Sequence, residues 1–249
     1  MKEKRKHLTE LESSHTPDAI RARFQKEYPH SYLKDFIYGA IDGTITTFAV
    51  ISGVAGAGLS TKILIILGLA NLIADGFSMA VGNFLSTRTE EQRRQEAIRI
   101  EKLHIEKIPE GEKEEIRQIF AAKGFSGKEL ESVVDVITSN QMQWINTMLT
   151  EELGMAKREP SPLRAALSTF TAFVLAGAIP LAAFLLPMAE YNPFWVSAIM
   201  TAIAFFGVGA FKGRFVGHTW YLSGFETLLI GSIAASLAYW VGVLLRGIA

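Results

Sequence analysis

Glu101 and His104 stand three residues apart, Glu112 and Glu115 likewise, and Met148 and Glu152 stand four apart. On a helix each pair shares one face. Between the first two pairs lies Pro109-Glu110-Gly111, a turn that folds one pair back toward the other. Carboxylates, one imidazole and a thioether form a mixed donor set for a borderline divalent ion such as Fe²⁺, Mn²⁺ or Zn²⁺. The same spacing also fits a solvated acidic surface, because fifteen of the twenty-five Asp and Glu residues fall within residues 88–159. Glu-x-x-His is also half of a di-iron bundle site. Such sites need two copies and this chain has one, which speaks against a di-iron enzyme.

A second group of candidates lies in apolar surroundings. Asp42 interrupts the apolar run at residues 36–58, at a cost of roughly 2.5–3.5 kcal/mol if that run crosses a bilayer. Asn71, Asp75, Met79 and Asn83 recur every four residues along another such run. At 100° per residue the stripe drifts about 40° per step, so it stays on one side of a helix. A polar stripe in lipid must face protein or a water-filled path. Oxygen ligands and a thioether along such a path suit a divalent cation held weakly enough to leave.

These residues need elements to position them. Apolar runs at residues 36–58, 63–85, 165–188, 194–211 and 225–245 are each about 18–25 residues long, enough to cross a ~30 Å hydrocarbon core as a helix. The last three lack an amphipathic charged face, so buried helices of a soluble protein fit them poorly. The fold class is therefore all-α, an integral membrane protein with five transmembrane helices. No stop signal follows the second run, and one helix is expected from about residue 62 to Lys107. Further helices are expected at about 112–123, 126–138 and 142–153, bounded by Gly124 and Gly154. Four segments result: an N-terminal segment 1–31, helices one and two in 32–87, a small helical domain in 88–162, and helices three to five in 163–249. Thr16-Pro17 opens a short helix through about Gln25 in the first segment.

Eight Lys and Arg lie in residues 1–34, residues 88–157 are rich in them, and Lys212 and Arg214 mark the fourth link, with His218 beside them. These stretches are expected on the cytoplasmic side and the C-terminus outside. Lys212, Arg214, His218 and Glu226 read as interface anchors. The absence of cysteine excludes thiolate sites and disulfides. Zero net charge and the lack of a basic stripe argue against a nucleic-acid partner. Gly39-x-x-x-Gly43 is a small-xxx-small pattern that lets two helix backbones meet, and a second copy of the chain is the expected neighbour.

The segments "YGAIDGTITTFAVISG", "ANLIADGFSMAVGNFLSTRTE" and "WINTMLTEELGM", with the Pro109 turn, resemble the vacuolar iron transporter family over about residues 32–246. The resemblance implies a five-span homodimer whose ion path lies between the two first spans, with a cytoplasmic metal-binding domain between spans two and three. It further implies export of Fe²⁺, and often Mn²⁺, from the cytosol in exchange for protons, with no enzyme activity and no organic cofactor. On this resemblance Asp42 and Met79 fall on the path, and Glu101, Glu112, Glu115, Met148 and Glu152 fall on the cytoplasmic ligands. Two such Asp42 side chains would face each other across the dimer axis and hold a cation or a proton between them. The glycines of the first span and Pro180 in the third are candidate sites of helix movement. Three positions depart from the family pattern: His104 replaces a common Glu, Leu149 a common second Met, and Asn71 a common Glu, with Asp75 as an added acid one turn later. The expected partners are divalent metal ions, protons, membrane lipid and a second copy. A prokaryotic plasma membrane is favoured over a vacuolar one by the short tails. The alternative is a membrane-anchored metal-binding or storage module, for which Asp42, Asp75 and Asn83 would have no use.

Overall fold

The computed structural model describes residues 11–25, 31–156, 160–186 and 192–247. The lysines and arginine of residues 1–10, Lys157 and the link at 187–191 lie outside the described residues. The chain divides into two compact units, residues 1–31 and 32–249. In the first, α1 (Pro17–Gln25) begins where Thr16 Oγ1 accepts a hydrogen bond from the Ala19 amide at 3.3 Å. A threonine at the N-cap satisfies one of the orphan donors of the first turn in this way.

In the second unit every described element is again helical. Five helices are long and apolar enough to cross a membrane: α2 (Leu33–Ala57), α3 (Thr61–Lys107), α7 (Pro162–Leu185), α8 (Pro193–Val216) and α9 (Trp220–Leu245). Helix α3 has 47 residues, about 70 Å at 1.5 Å per residue, more than twice the hydrocarbon thickness. Its apolar half belongs with the membrane helices, and its charged half forms a bundle with α4 (Pro109–Ala122), α5 (Gly127–Thr138) and α6 (Gln141–Glu151). Gly58, at φ +72°, ends α2 in a left-handed turn, and the amides of Gly58 and Leu59 return to Ala55 and Val54.

Helix α2 sits centrally, packed most extensively on α7 and then on α9. Gly39 and Gly43, expected from their spacing to meet a second copy, instead meet α7 of the same chain. A Cβ at either position would strike the backbone carbonyl oxygen of Thr169 or Phe173. Gly56 and Gly242 allow a similar approach between α2 and α9. The small-residue pattern brings backbones together, and α7 is the backbone it admits. Pro180 lies inside α7, where its carbonyl accepts from Ser197 Oγ of α8 at 2.7 Å.

The α3–α6 bundle has its own apolar core. Ile116, Val134, Ile137, Trp144 and Met148 form one cluster, and Ala97, Ile145 and Leu149 another. Asn140 caps α6 by accepting from the Gln143 amide at 3.0 Å. These contacts fix α4 and α6 against the end of α3, where the acidic residues gather.

Candidate metal centre and membrane path

Glu101 projects from α3 and is 6% exposed; Glu112 projects from the first turn of α4 and is 1% exposed. The Ile108 amide donates to the His104 carbonyl at 2.7 Å and the Glu112 amide to the Ile108 carbonyl at 3.3 Å, a tight reversal that returns α4 along α3. His104 Nδ1 then lies 3.2 Å from Glu112 Oε1, with its side chain 45% exposed. One ligand atom from each of Glu101, His104 and Glu112 lies within 4.8 Å of the others. Glu101 Oε2 and Glu112 Oε2 are buried and have no hydrogen-bond partner. Buried carboxylate oxygens normally have a donor or a cation beside them. Two orphans next to an imidazole fit a divalent ion chemically.

The electrostatics agree with this geometry. Burial, then the Glu115 and Glu101 carboxylates, push Glu112 up to about 7. Burial raises Glu101 as well, opposed by His104. Glu152 is raised by burial and then by Glu115 and Glu101, so it lies within the field of the cluster although its side chain is exposed. Glu115 is also exposed and acts on the other carboxylates through space. Met148 is fully buried and packs in the cluster containing Ile116, one turn after Glu112. Leu149 is equally buried but packs with Ala97 and Ile145.

Along the membrane helices, Asp42 of α2 and Asp75 of α3 are half-buried, on two helices that pack together. Asn71, Asp75, Met79 and Asn83 are all half-buried, beside the buried ridge of Leu72, Gly76 and Ala80 that packs into the protein. Asn71 Nδ2 is buried without a hydrogen-bond partner. Met79 lines a cavity of about 480 Å³ together with Lys34, Asp35, Tyr38 and Asn83. Asn83 is hydrogen-bonded on three sides. Its Nδ2 donates to Asp35 Oδ1 at 2.9 Å and to Thr169 Oγ1 at 2.7 Å, while its Oδ1 accepts from Thr87 at 3.3 Å. It thereby ties α2, α3 and α7 at one level.

Asp35 and Thr169 were not legible as members of this site. Asp35 lies in the first turn of α2, where an acid reads as an ordinary partner of the helix N-terminus. Its position two turns before Asp42 was the one available signal.

The profile of the VIT family matches residues 33–243, which covers both the membrane helices and the acidic bundle. The chain belongs to the VIT family of vacuolar iron transporters. Among its relatives, the vacuolar iron transporter 1 of Arabidopsis thaliana is 35% identical over 210 residues, covering 83% of each chain. The vacuolar iron transporter of Toxoplasma gondii is 33% identical over 225 residues, 86% of this chain and 74% of that one. That of Plasmodium berghei is 31% identical over 229 residues, 86% of this chain and 82% of its own. In this VIT-family chain the α3–α4 reversal and the α2–α3 interface both fall within the matched region.

Proposed function

We propose that the chain carries Fe²⁺, and also Mn²⁺, out of the cytosol in exchange for protons, working as a homodimer. The observation that carries this function is Asp42 and Asp75, half-buried acids on two different membrane-length helices that pack together, with Met79 one turn beyond Asp75. A module that merely anchors a metal-binding domain has no use for them. Relatives named vacuolar iron transporters support metal as the cargo.

The division of labour follows from the donor sets. Residues 88–162 form a cytoplasmic domain in which Glu101, His104 and Glu112 take up the ion, with Glu115, Glu152 and Met148 as further ligands or charge. The acidic surface concentrates cations near the membrane entrance. The ion then passes to Asp42, Asp75 and Met79, with Asn71 on the same wall. Carboxylates in a dry path cannot all carry charge unless a cation or a proton accompanies them. Metal and protons therefore compete for the same oxygens, which is the chemical basis of exchange.

Purified protein in liposomes, with metal uptake and internal pH followed together, tests this function. Fe²⁺ and Mn²⁺ flux with opposing proton movement is expected, and Asp42→Asn should abolish both. Metal movement without proton movement would remove the exchange. Metal binding with no flux would leave only an anchored binding module.

A further inference from the structure

The turn joining α8 to α9 borders a cavity of about 490 Å³, remote in sequence from every group assigned to the metal route. Lys212, His218, Thr219, Ser223 and Glu226 line it. Thr219 occupies the N-cap of the 26-residue α9, yet its side chain makes no capping hydrogen bond. The amide donors of the first turn and the positive end of the helix dipole are left for another acceptor.

A second observation concerns Ser223. It is 7% exposed, and its Oγ has no hydrogen-bond partner. The other serine and threonine hydroxyls within α9 each donate to the carbonyl four residues back: Thr227 at 3.0 Å, Ser232 at 2.7 Å and Ser236 at 2.7 Å. Ser223 alone among them does not, although it stands on the face that lines the cavity. A buried hydroxyl without a partner is costly, and a turn of the Ser223 side chain toward the cavity would let it donate to an oxyanion there.

The charged side chains complete the picture. Lys212 Nζ pairs with Glu226 Oε2 at 3.3 Å, and Glu226 is largely exposed. An incoming anion therefore shares the ammonium with a carboxylate that is free to turn toward solvent. Beside the cavity Phe215, Val216, Trp220, Tyr221 and Leu222 are all exposed, an apolar and aromatic rim at the ends of two membrane-length helices. Tryptophan and tyrosine at such ends mark the headgroup level of a bilayer.

We propose that this cavity binds the phosphate of an anionic phospholipid headgroup, with the acyl chains lying along the exposed apolar rim. Free phosphate shares the headgroup chemistry but has nothing to place on that rim.

Native mass spectrometry of the full chain in mild detergent tests the assignment, with phosphatidylglycerol, phosphatidylcholine and inorganic phosphate as probes. Wild-type protein is expected to retain phosphatidylglycerol over phosphatidylcholine. Lys212→Gln should lower that retention about five-fold, the weight of one basic residue at an anionic surface. Ser223→Ala should lower it by a smaller factor. Glu226→Gln should raise it, a gain that misfolding does not produce. Equal retention of the two lipids by wild type, or unchanged phosphatidylglycerol retention in both Lys212→Gln and Ser223→Ala, overturns the proposal. Full displacement of the lipid by millimolar inorganic phosphate assigns the cavity to free phosphate and overturns the lipid assignment.

Discussion

His104 Nδ1 and Glu112 Oε1 meet at 3.2 Å across the Pro109 reversal, joining the last turn of α3 to the first turn of α4. A helix N-terminus ordinarily favours a carboxylate's charge. At Glu112 the balance goes the other way, because burial and two neighbouring carboxylates outweigh the helix end and hold the group near 7. Near neutral pH this carboxyl is therefore poised between a proton and a cation.

Metal binding should accordingly release protons, and more of them at pH 6 than at pH 8. At pH 6 the Glu112 carboxyl is mostly protonated and must give up its proton; at pH 8 it is mostly charged already. Apparent affinity for Mn²⁺ should climb as pH rises through about 7. Titration calorimetry in two buffers of different ionisation enthalpy counts the protons. Glu112→Gln is expected to remove most of the difference between the two pH values.

The same shift has a consequence for stability. Glu112 moves from an ordinary value of 4.5 up to about 7 on folding. A raised acid stabilises the fold fully below its unfolded value and loses that contribution as pH climbs through the folded value. For the metal-free protein the loss between pH 4.5 and 7 is about 3 kcal/mol from this group. Glu101 and Glu152 shift in the same direction. The melting temperature of metal-free protein, followed by helical circular dichroism, should therefore fall from pH 5 to pH 8, and Mn²⁺ should restore it at pH 8. A flat profile in wild-type protein would contradict the burial of a carboxylate with one oxygen left without a hydrogen-bond partner.

The long third helix and the Pro109 reversal were legible because each has a local cause: an uninterrupted helical pattern to Lys107, then a proline at the first position of α4. Spacing brought Glu101, His104 and Glu112 forward for the same reason. It did not distinguish Glu112 from Glu115. The two are one turn apart, yet the first is buried and the second exposed, because α4 packs its Glu112–Ile116 flank against the bundle. The Asn83 network joins residues 48 and 86 positions apart, with no local signature. The glycines announced a close helix approach but not its partner, since spacing within one helix says nothing about which backbone comes near.

Gly43 offers a clean test of that approach. A side chain there meets the Phe173 backbone, which cannot rotate aside, whereas one at Gly82 has nothing within 4 Å. Gly43→Ala should cost about 1–3 kcal/mol of stability by overpacking. Gly82→Ala should be neutral or slightly stabilising, since alanine is the better helix former by about 1 kcal/mol. Comparing the melting temperatures of the two variants in detergent decides it. Equal loss in both would place the α2–α7 contact wrongly.

Asn83 separates a positioning role from a ligand role. Both of its amide hydrogens are donated, one to Asp35 and one to Thr169. Asn83→Asp retains a metal-binding oxygen but has no amide hydrogens and sets a carboxylate against Asp35. The variant is expected to lose about 1–3 kcal/mol of stability and most of its metal flux. If Asn83→Asp instead melted like wild type and carried metal faster, Asn83 would be a ligand on the path.

Among the candidate ligands, His104 is the one whose replacement has the clearest chemical consequence. A protonated imidazole there opposes the upward push on Glu101 and Glu112, whereas a third acid would add to it. His104→Glu exchanges an imidazole for a carboxylate 3.2 Å from Glu112, which removes that opposition and adds a like charge. The pH midpoint of metal binding should therefore move upward. Loss of the imidazole should also change the preference among ions, because nitrogen favours Zn²⁺ and Fe²⁺ while an all-oxygen set suits Mn²⁺. Competition titrations with Mn²⁺ and Zn²⁺ across pH 5–8 read both effects at once. The expected outcome is a higher midpoint together with a larger Mn²⁺ to Zn²⁺ affinity ratio. An unchanged ratio would show that His104 does not touch the bound ion and acts on it only through Glu112.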